Sequence, residues 1–277
     1  MGFRINTNMA SISAQRALGT SNRESEGVLS KLSSGTRITK ASDDAAGLAI
    51  SEKMKANIRS MKQADRNAND GISLVQTAEG GLNEVSSILT RMRELAMQTS
   101  SDTVGDVERG MTNMEYQNLK LELERISQVT EFNGKKLLNG EGEKYDFQIG
   151  VNNDSFEDRI SYDASAANSR LESLGVSELD VGTKQGSQES LASLDSAIEK
   201  VSGQRAYLGA IQNRLTSTSN NLQVSTENLS AANSRIRDLD YADATAQKAK
   251  LDILNAAGTS VLAQANMSSQ NALKLIG

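Results

Sequence analysis

The side chains on which most enzymes rely for proton transfer and nucleophilic attack are missing from this sequence. Its 277 residues contain no histidine and no cysteine, and proline and tryptophan are absent as well. Without histidine the commonest general base and metal ligand are lost, and without cysteine there is no thiolate, disulfide or sulfur-ligated metal. Triads built on Ser-His-Asp or Cys-His are therefore excluded. A Ser-Lys or two-carboxylate enzyme stays open, but no spacing points to one. Asp43-Asp44 invites a metal reading, yet two adjacent carboxylates before an apolar periodic run more often cap a helix. The expectation is no catalytic, cofactor-binding or metal-binding residue.

What remains is the chemistry of recognition. Arg91, Arg93, Glu94 and Leu95 stand together on a run whose apolar seam passes through Leu89, Met92 and Ala96. At about 100° per residue, Arg91 lies ~130° and Leu95 ~90° from the seam. A leucine away from the seam, one turn from an arginine, suits contact with another protein.

The element that carries this cluster is long. Apolar residues recur every seven positions at Met54, Met61, Ala68, Val75, Leu82, Leu89 and Ala96, and again at Leu194, Val201, Leu208, Leu215, Leu222, Leu229 and Ile236. Heptad spacing is the signature of helices packed along a seam. About 42 residues at 1.5 Å each give a rod of ~63 Å, and two rods of matched length can lie side by side. These rungs are expected to form an intramolecular core, leaving the other helix faces for neighbouring chains. The absence of proline suits such helices, since proline removes a backbone donor and clashes with the preceding turn.

Flanking elements follow. Residues 4–33 read as a first helix ended by Gly35 in the left-handed conformation. The first ladder spans about Ala45–Thr99, with Gly80-Gly81 read as a small-residue packing contact, and residues 107–130 form a helix with two apolar stripes. One stripe is Val107, Met111, Met114 and Leu121; the other is Leu119, Leu123 and Ile126. Asn133-Gly134 and Asn139-Gly140 signal turns, and alternation through Tyr145, Phe147, Ile149 and Val151, resuming after Asn152-Asn153-Asp154 at Phe156, Ile160 and Tyr162, predicts a β-hairpin. Residues 164–190, rich in Ser, Gly and Asn, read as a surface excursion. The second ladder fills 190–237, and a last helix runs from Ala242 to about Ile276. The predicted fold is mainly α: a long antiparallel helical coiled-coil bundle with a small β-hairpin region and paired N- and C-terminal helices.

Hydrophobic residues make up 37% and mean hydropathy is −0.46, a low value for one large core and a reason to expect burial between chains. A net charge of −5 with no basic stripe argues against nucleic acid. No segment approaches the ~20 apolar residues of a membrane span, and the N-terminus lacks the apolar stretch of a Sec-type signal, which by ordinary rules would leave the chain in the cytoplasm.

Particular runs add a family likeness. Ile5-Asn6-Thr7-Asn8, Leu32-Ser33-Ser34-Gly35-Thr36-Arg37-Ile38 and Asp43-Asp44-Ala45-Ala46-Gly47-Leu48-Ala49-Ile50-Ser51 resemble the N-terminal signature of bacterial flagellins. The likeness continues through Arg91-Met92-Arg93-Glu94-Leu95-Ala96, Phe132-Asn133-Gly134-Lys135-Lys136-Leu137-Leu138 and Phe147-Gln148-Ile149-Gly150. It ends with Arg237-Asp238-Leu239-Asp240-Tyr241-Ala242, Gln264-Ala265-Asn266 and Leu273-Lys274-Leu275-Ile276. The resemblance implies a minimal form without outer domains: an inner terminal-helix domain of residues 1–42 and 240–277, and a helical spoke domain of 43–239, with 164–190 in place of outer domains. It implies self-assembly into a flagellar filament for swimming, and unfolded export through the flagellar type III apparatus to the cell exterior. It also implies partnership with an export chaperone at the C-terminal helix and with filament-cap and hook-junction proteins. In similar flagellins, residues matching Arg91, Leu95 and Glu115 are read by the animal innate receptor TLR5 and lie where subunits meet; Asn118-Leu119 departs from the usual polar-basic pair there.

Competing readings are a hook–filament junction protein of related architecture, an enzyme carried in the central insertion, and a soluble coiled-coil adaptor. The enzyme reading fails on the missing histidine, since the zinc peptidase motif needs two. The terminal stripes are thin, with Asn22 and Ser25 where apolar rungs would belong. Helices of that kind are expected to order only when sister chains surround them.

Overall fold

A computed structural model describes residues 7–141 and 144–274. Ile5 and Asn6 of the N-terminal run and Leu275-Ile276 of the closing run lie outside the described residues. The elements are α1 (Met9–Ser34), α2 (Ala45–Thr99), α3 (Asp106–Val129), β1 (Glu131–Phe132), β2 (Lys135–Lys136), β3 (Lys144–Gln148), β4 (Arg159–Asp163), one 3₁₀ turn (Ala164–Ala167), α4 (Leu171–Leu174), α5 (Lys184–Arg237) and α6 (Tyr241–Lys274). The fold is mainly helical, with two small antiparallel strand pairs. The chain divides into two compact units, one of residues 1–56 and 228–277 and another of 57–227. The division falls within α2 and α5, some distance along each helix from the links at 35–44 and 238–240.

In the terminal unit α1 and α6 run antiparallel. The Asn8 amide donates to the Ala265 carbonyl at 2.9 Å and the Ser11 hydroxyl to Asn266 Oδ1 at 2.9 Å, while Tyr241 at the other end of α6 donates to the Leu32 carbonyl at 3.2 Å. Gly35 ends α1 at φ 69°, its N–H on the Lys31 carbonyl, a backbone that glycine adopts without the clash of a Cβ. The following residues are clipped to the end of α5. The Arg37 N–H donates to the Arg237 carbonyl at 2.7 Å, the Leu239 N–H to the Gly35 carbonyl at 3.1 Å, and the Arg37 guanidinium to the Ile236 carbonyl at 2.7 Å. Asp43 and Asp44 have separate tasks. Asp44 Oδ1 accepts from the Gly47 N–H at 2.8 Å and caps α2. Asp43 closes the preceding turn, and hydrogen bonds from the Thr39 N–H, the Thr39 hydroxyl and the Lys40 N–H hold its carboxyl below the usual aspartate range.

The second unit holds the main core. Ser219 donates to Asp65 at 2.5 Å, Arg93 to Asp195 at 2.5 Å and Ser187 to Thr99 at 2.8 Å, so the α2 and α5 segments here are antiparallel. Between them Val75, Leu82, Leu89, Leu194, Val201, Leu208 and Leu215 are fully buried, and Leu222 is buried. Each such side chain contributes about 1.5–3 kcal/mol relative to exposure. Met61 in this unit, and Met54, Leu229 and Ile236 in the terminal unit, are only half-buried.

Beside α2 the chain descends in order. α3 packs Tyr116, Leu123 and Ile126 inward, Gly81 touches Leu138 and Thr130, and Gly71 touches Phe147. The Gly80-Gly81 pair is thus asymmetric. A Cβ at Gly81 would meet Leu138 Cδ1 at 2.7 Å, whereas one at Gly80 meets nothing. The close approach is to the loop after α3, not to another helix. Asn133 and Gly134 turn β1 into β2 with φ of 50° and 76°. β3 pairs with β4 in the register Tyr145↔Tyr162 and Phe147↔Ile160.

Residues 164–190 correct the sequence expectation of a surface excursion. Ala164, Ala167, Val176 and Val181 are fully buried, as is Ser187, and Leu174 is nearly so. Their scarcity hid them, because irregular backbone shows no period even when its few apolar residues all point inward. Polar anchors fix the path: the Lys120 ammonium donates to the Ser177 and Leu179 carbonyls at 2.7 and 3.1 Å, and Glu124 accepts from the Leu171 N–H at 3.1 Å.

Candidate functional site

Arg91 and Glu115, twenty-four positions apart, meet at the junction of α2 and α3. The Arg91 guanidinium donates through Nε and Nη2 to Glu115 Oε1 at 3.0 and 2.9 Å, and through Nη1 to Glu94 Oε2 at 3.0 Å. The three side chains are about half exposed. Hydrogen bonds from Arg91 to Glu115 first, and then to Glu94, raise the guanidinium above its ordinary range and keep it charged. Solvent screens exposed pairs of this kind and they contribute little to folding, so what they supply is a fixed charge pattern on the surface. Arg93 points elsewhere, to Asp195 on α5, and that hydrogen bond and charge hold Asp195 below its usual range.

Leu95 is not on that surface. It is 2% exposed and belongs to the core with Tyr116 and Leu123, which corrects its placement as an outward contact. The physical reason is that α2 is covered on two sides here, by α5 along the ladder and by α3 beside it. The buried arc is therefore wider than one seam, and a residue about 90° from the seam falls inside it.

The outward apolar surface lies next door. Val107, Met111, Met114 and Leu121 recur down one side of α3 and are 62–70% exposed, with Met97 of α2 also exposed. Asn118 occupies the missing rung. The stripe is legible in the sequence, but which of the two α3 stripes faces out is not. Sequence reasoning also missed the buried cations that brace this end. Arg109 donates to the Thr99 and Ser101 carbonyls at 3.0 and 2.8 Å, and Lys120 holds the 177–179 carbonyls. Burial lowers the Lys120 ammonium, opposed by the charge of Asp180. Neither forms part of a periodic stripe, and buried Arg and Lys are too uncommon to expect from composition.

A polar groove of about 350 Å³ lies between α2 and the loop after β3, lined by Ser60, Gln63, Asn67, Gln148, Asn152 and Asn153 among others. Its polar side chains are amides and a hydroxyl, beside the apolar Ala64 and Val151, without a nucleophile–base pair. Among the described residues no group of three or more Asp and Glu side chains is placed to hold a metal ion, and no helix is long and apolar enough to cross a membrane.

Comparison with known proteins gives this surface its context. Residues 5–143 match the bacterial flagellin N-terminal helical region and residues 191–276 the bacterial flagellin C-terminal helical region. A flagellin of Halalkalibacterium halodurans is 44% identical over 98% of this chain and 99% of its own length. The flagellin of Bacillus subtilis is 41% identical over 99% of this chain and 100% of its own, and the flagellar filament 33 kDa core protein of Treponema phagedenis is 40% identical over 98% and 99%. The crystal structure of Bacillus cereus flagellin superposes with a TM-score of 0.51 at 29% identity, covering 61% of this chain and 94% of that one. A putative flagellar hook-associated protein of Vibrio parahaemolyticus shares the fold, with a TM-score of 0.58 at 13% identity. The chain belongs to the bacterial flagellin family, structural proteins that assemble themselves into the flagellar filament.

Proposed function

We propose that this chain builds the filament by coupling the ordering of its terminal helices to subunit addition. Exposed apolar side chains on α1 and α6 carry this reading. Met9, Ile12 and Leu29 of α1, and Ile253, Leu254, Val261 and Met267 of α6, are 43–70% exposed, while among the described side chains of the two helices the buried ones are Ser11, Ala244, Leu251 and Ala265. Burial this sparse, with Leu18, Val28, Leu32 and Leu262 only half-covered, falls short of an ordering cost of ~1–2 kcal/mol per residue over two long helices. Surrounding sister chains would cover the exposed apolar residues, so folding of the ends and polymerisation become one event. In this reading residues 1–42 and 240–277 form the inner part of the filament and 43–239 its spoke.

The same weak ends suit a chain exported unfolded by the flagellar type III apparatus to the outside of the cell. Until assembly, α6 would be sheltered by an export chaperone, and growth would proceed between hook-junction proteins and a filament cap. The Arg91–Glu94–Glu115 patch serves as a subunit contact. Recognition by the innate receptor TLR5 would draw on Arg91 and Glu115, with Leu95 acting from beneath the surface by holding α2 and α3 together.

Hydrogen exchange tests the coupling. Amides across 9–34 and 241–274 of the purified monomer should exchange freely and become protected when seeds convert the protein to filaments visible by negative-stain microscopy. Full protection in the monomer would overturn the coupling.

A further inference from the structure

Phe156 is the most exposed large apolar side chain among the described residues, at 89%. It stands on a turn whose backbone is fixed from several directions. Asp154 Oδ1 accepts from the N–H groups of Phe156 and Glu157 at 2.7 and 2.9 Å. Asp158, itself 6% exposed, accepts from the N–H groups of Asn152 and Asp154 at 3.3 and 2.9 Å, filling the space a side chain at Gly150 would need. Arg159 ties the turn to Asn153 and Gln148. An aromatic ring presented on so braced a backbone loses little freedom when it is covered, which is the property of an interface anchor.

Its natural receptor lies on the same unit but out of reach. The turn sits near Ser60–Asn67 of α2, whereas the Met111–Met114 stretch of the exposed α3 stripe sits beside Arg91 and Thr99. About 30 residues of helix separate these levels, ~45 Å, so the ring and the stripe cannot meet within one copy. Assembly into a filament needs a heterologous contact, in which one patch of each copy meets a different patch of the next, and a knob and an apolar receptor on separate levels of the unit can supply it.

We propose that Phe156 of one copy packs on the Met111–Met114 stretch of the next copy's α3 and is an anchor of the subunit interface. Methionine suits the receptor, because its unbranched thioether moulds to an aromatic ring and gains from sulfur–ring contact. This contact rests on the filament reading above and adds to it the residues that meet.

The absence of native cysteine makes a clean test. Filaments seeded from the full chain carrying Phe156→Cys and Met114→Cys, treated with a short bis-maleimide, should yield a ladder of covalently joined copies on denaturing gels. Unpolymerised protein should yield none. Phe156→Ala should raise the critical concentration for growth roughly tenfold or more, the range of interface anchors, while the monomer's circular dichroism and melting stay unchanged. Phe156→Trp, which restores a ring, should recover most of the loss. Normal filaments without the ladder, a wild-type critical concentration for Phe156→Ala, or joining through Met114→Cys alone, stripe against stripe, would each overturn the contact while leaving the filament reading intact. Wild-type protein that grows no filament from seeds would overturn both.

Discussion

Gly80 and Gly81 are neighbours in α2, yet the structure assigns opposite signs to the same substitution at each. Both are helical and neither has a positive φ. Alanine in place of glycine in a helix interior therefore gains about 1 kcal/mol at either position, through reduced backbone freedom of the unfolded chain. At Gly80 nothing lies within 4 Å of the added methyl, so the whole gain is kept. At Gly81 the methyl would stand 2.7 Å from Leu138 Cδ1, 2.8 Å from Thr130 Oγ1 and 3.1 Å from Thr130 Cγ2. Leu138 is fully buried, and the Thr130 hydroxyl is bonded to the Ile126 carbonyl at 2.7 Å, so neither yields easily. Overpacking of this kind costs about 1–3 kcal/mol, leaving a net loss of roughly 1 kcal/mol. For a unit of this size 1 kcal/mol moves the melting temperature by about 2–4 °C. Calorimetry of the full-length monomer should show Gly80→Ala melting higher than wild type and Gly81→Ala lower by similar amounts. Two shifts of the same sign would refute the assignment of Gly81 to close packing.

Position along the ladders should govern the cost of truncation. Leu208→Ala, at a fully buried rung, should lose about 2–5 kcal/mol in urea denaturation of the 57–227 unit, and Leu229→Ala, half-buried in the terminal unit, clearly less; equal losses would contradict the burial pattern. Acid should loosen the second unit. Burial alone would raise Glu124, but the Leu171 N–H, Gln128 and Arg170 together hold it below the ordinary glutamate range, and Arg93 lowers Asp195. Folded pKa values below the unfolded ones give stability that is complete above the unfolded values and lost as pH falls through the folded ones. Near-ultraviolet circular dichroism of the tyrosines should therefore hold from neutral pH down to about 5 and fade below about 4, with Glu124→Gln flattening part of that dependence. A pH-independent signal down to about 2 would rule these carboxylates out.

The long elements were legible because heptad spacing is a direct image of a helix seam, and no proline interrupts it. Gly35 and Asn133-Gly134 were legible because a positive φ selects those residue types. Leu95 was not. Its burial depends on α3 lying beside α2, a fact held in the packing of Tyr116 and Leu123 and not in the spacing of α2 itself. The stretch 164–190 failed for the opposite reason, since its inward residues are short, few and irregular and leave no period to read. Arg91 stood out by its angle from the seam and Glu115 by family likeness, but only the fold shows that one guanidinium serves both Glu115 and Glu94.

The pairing of α1 with α6 has a consequence for when this protein can acquire its shape. Asn8 and Ala265 are 257 positions apart, among the most non-local pairings a chain of this length permits. The entropy of closing so large a loop grows only as the logarithm of its length, but the second strand of the pair must first exist. A chain emerging end-first offers α1 no partner until almost the last residue has appeared. Sequence separation alone thus acts as a timer, delaying the pairing of the N-terminal helix during synthesis until the α6 segment has been made.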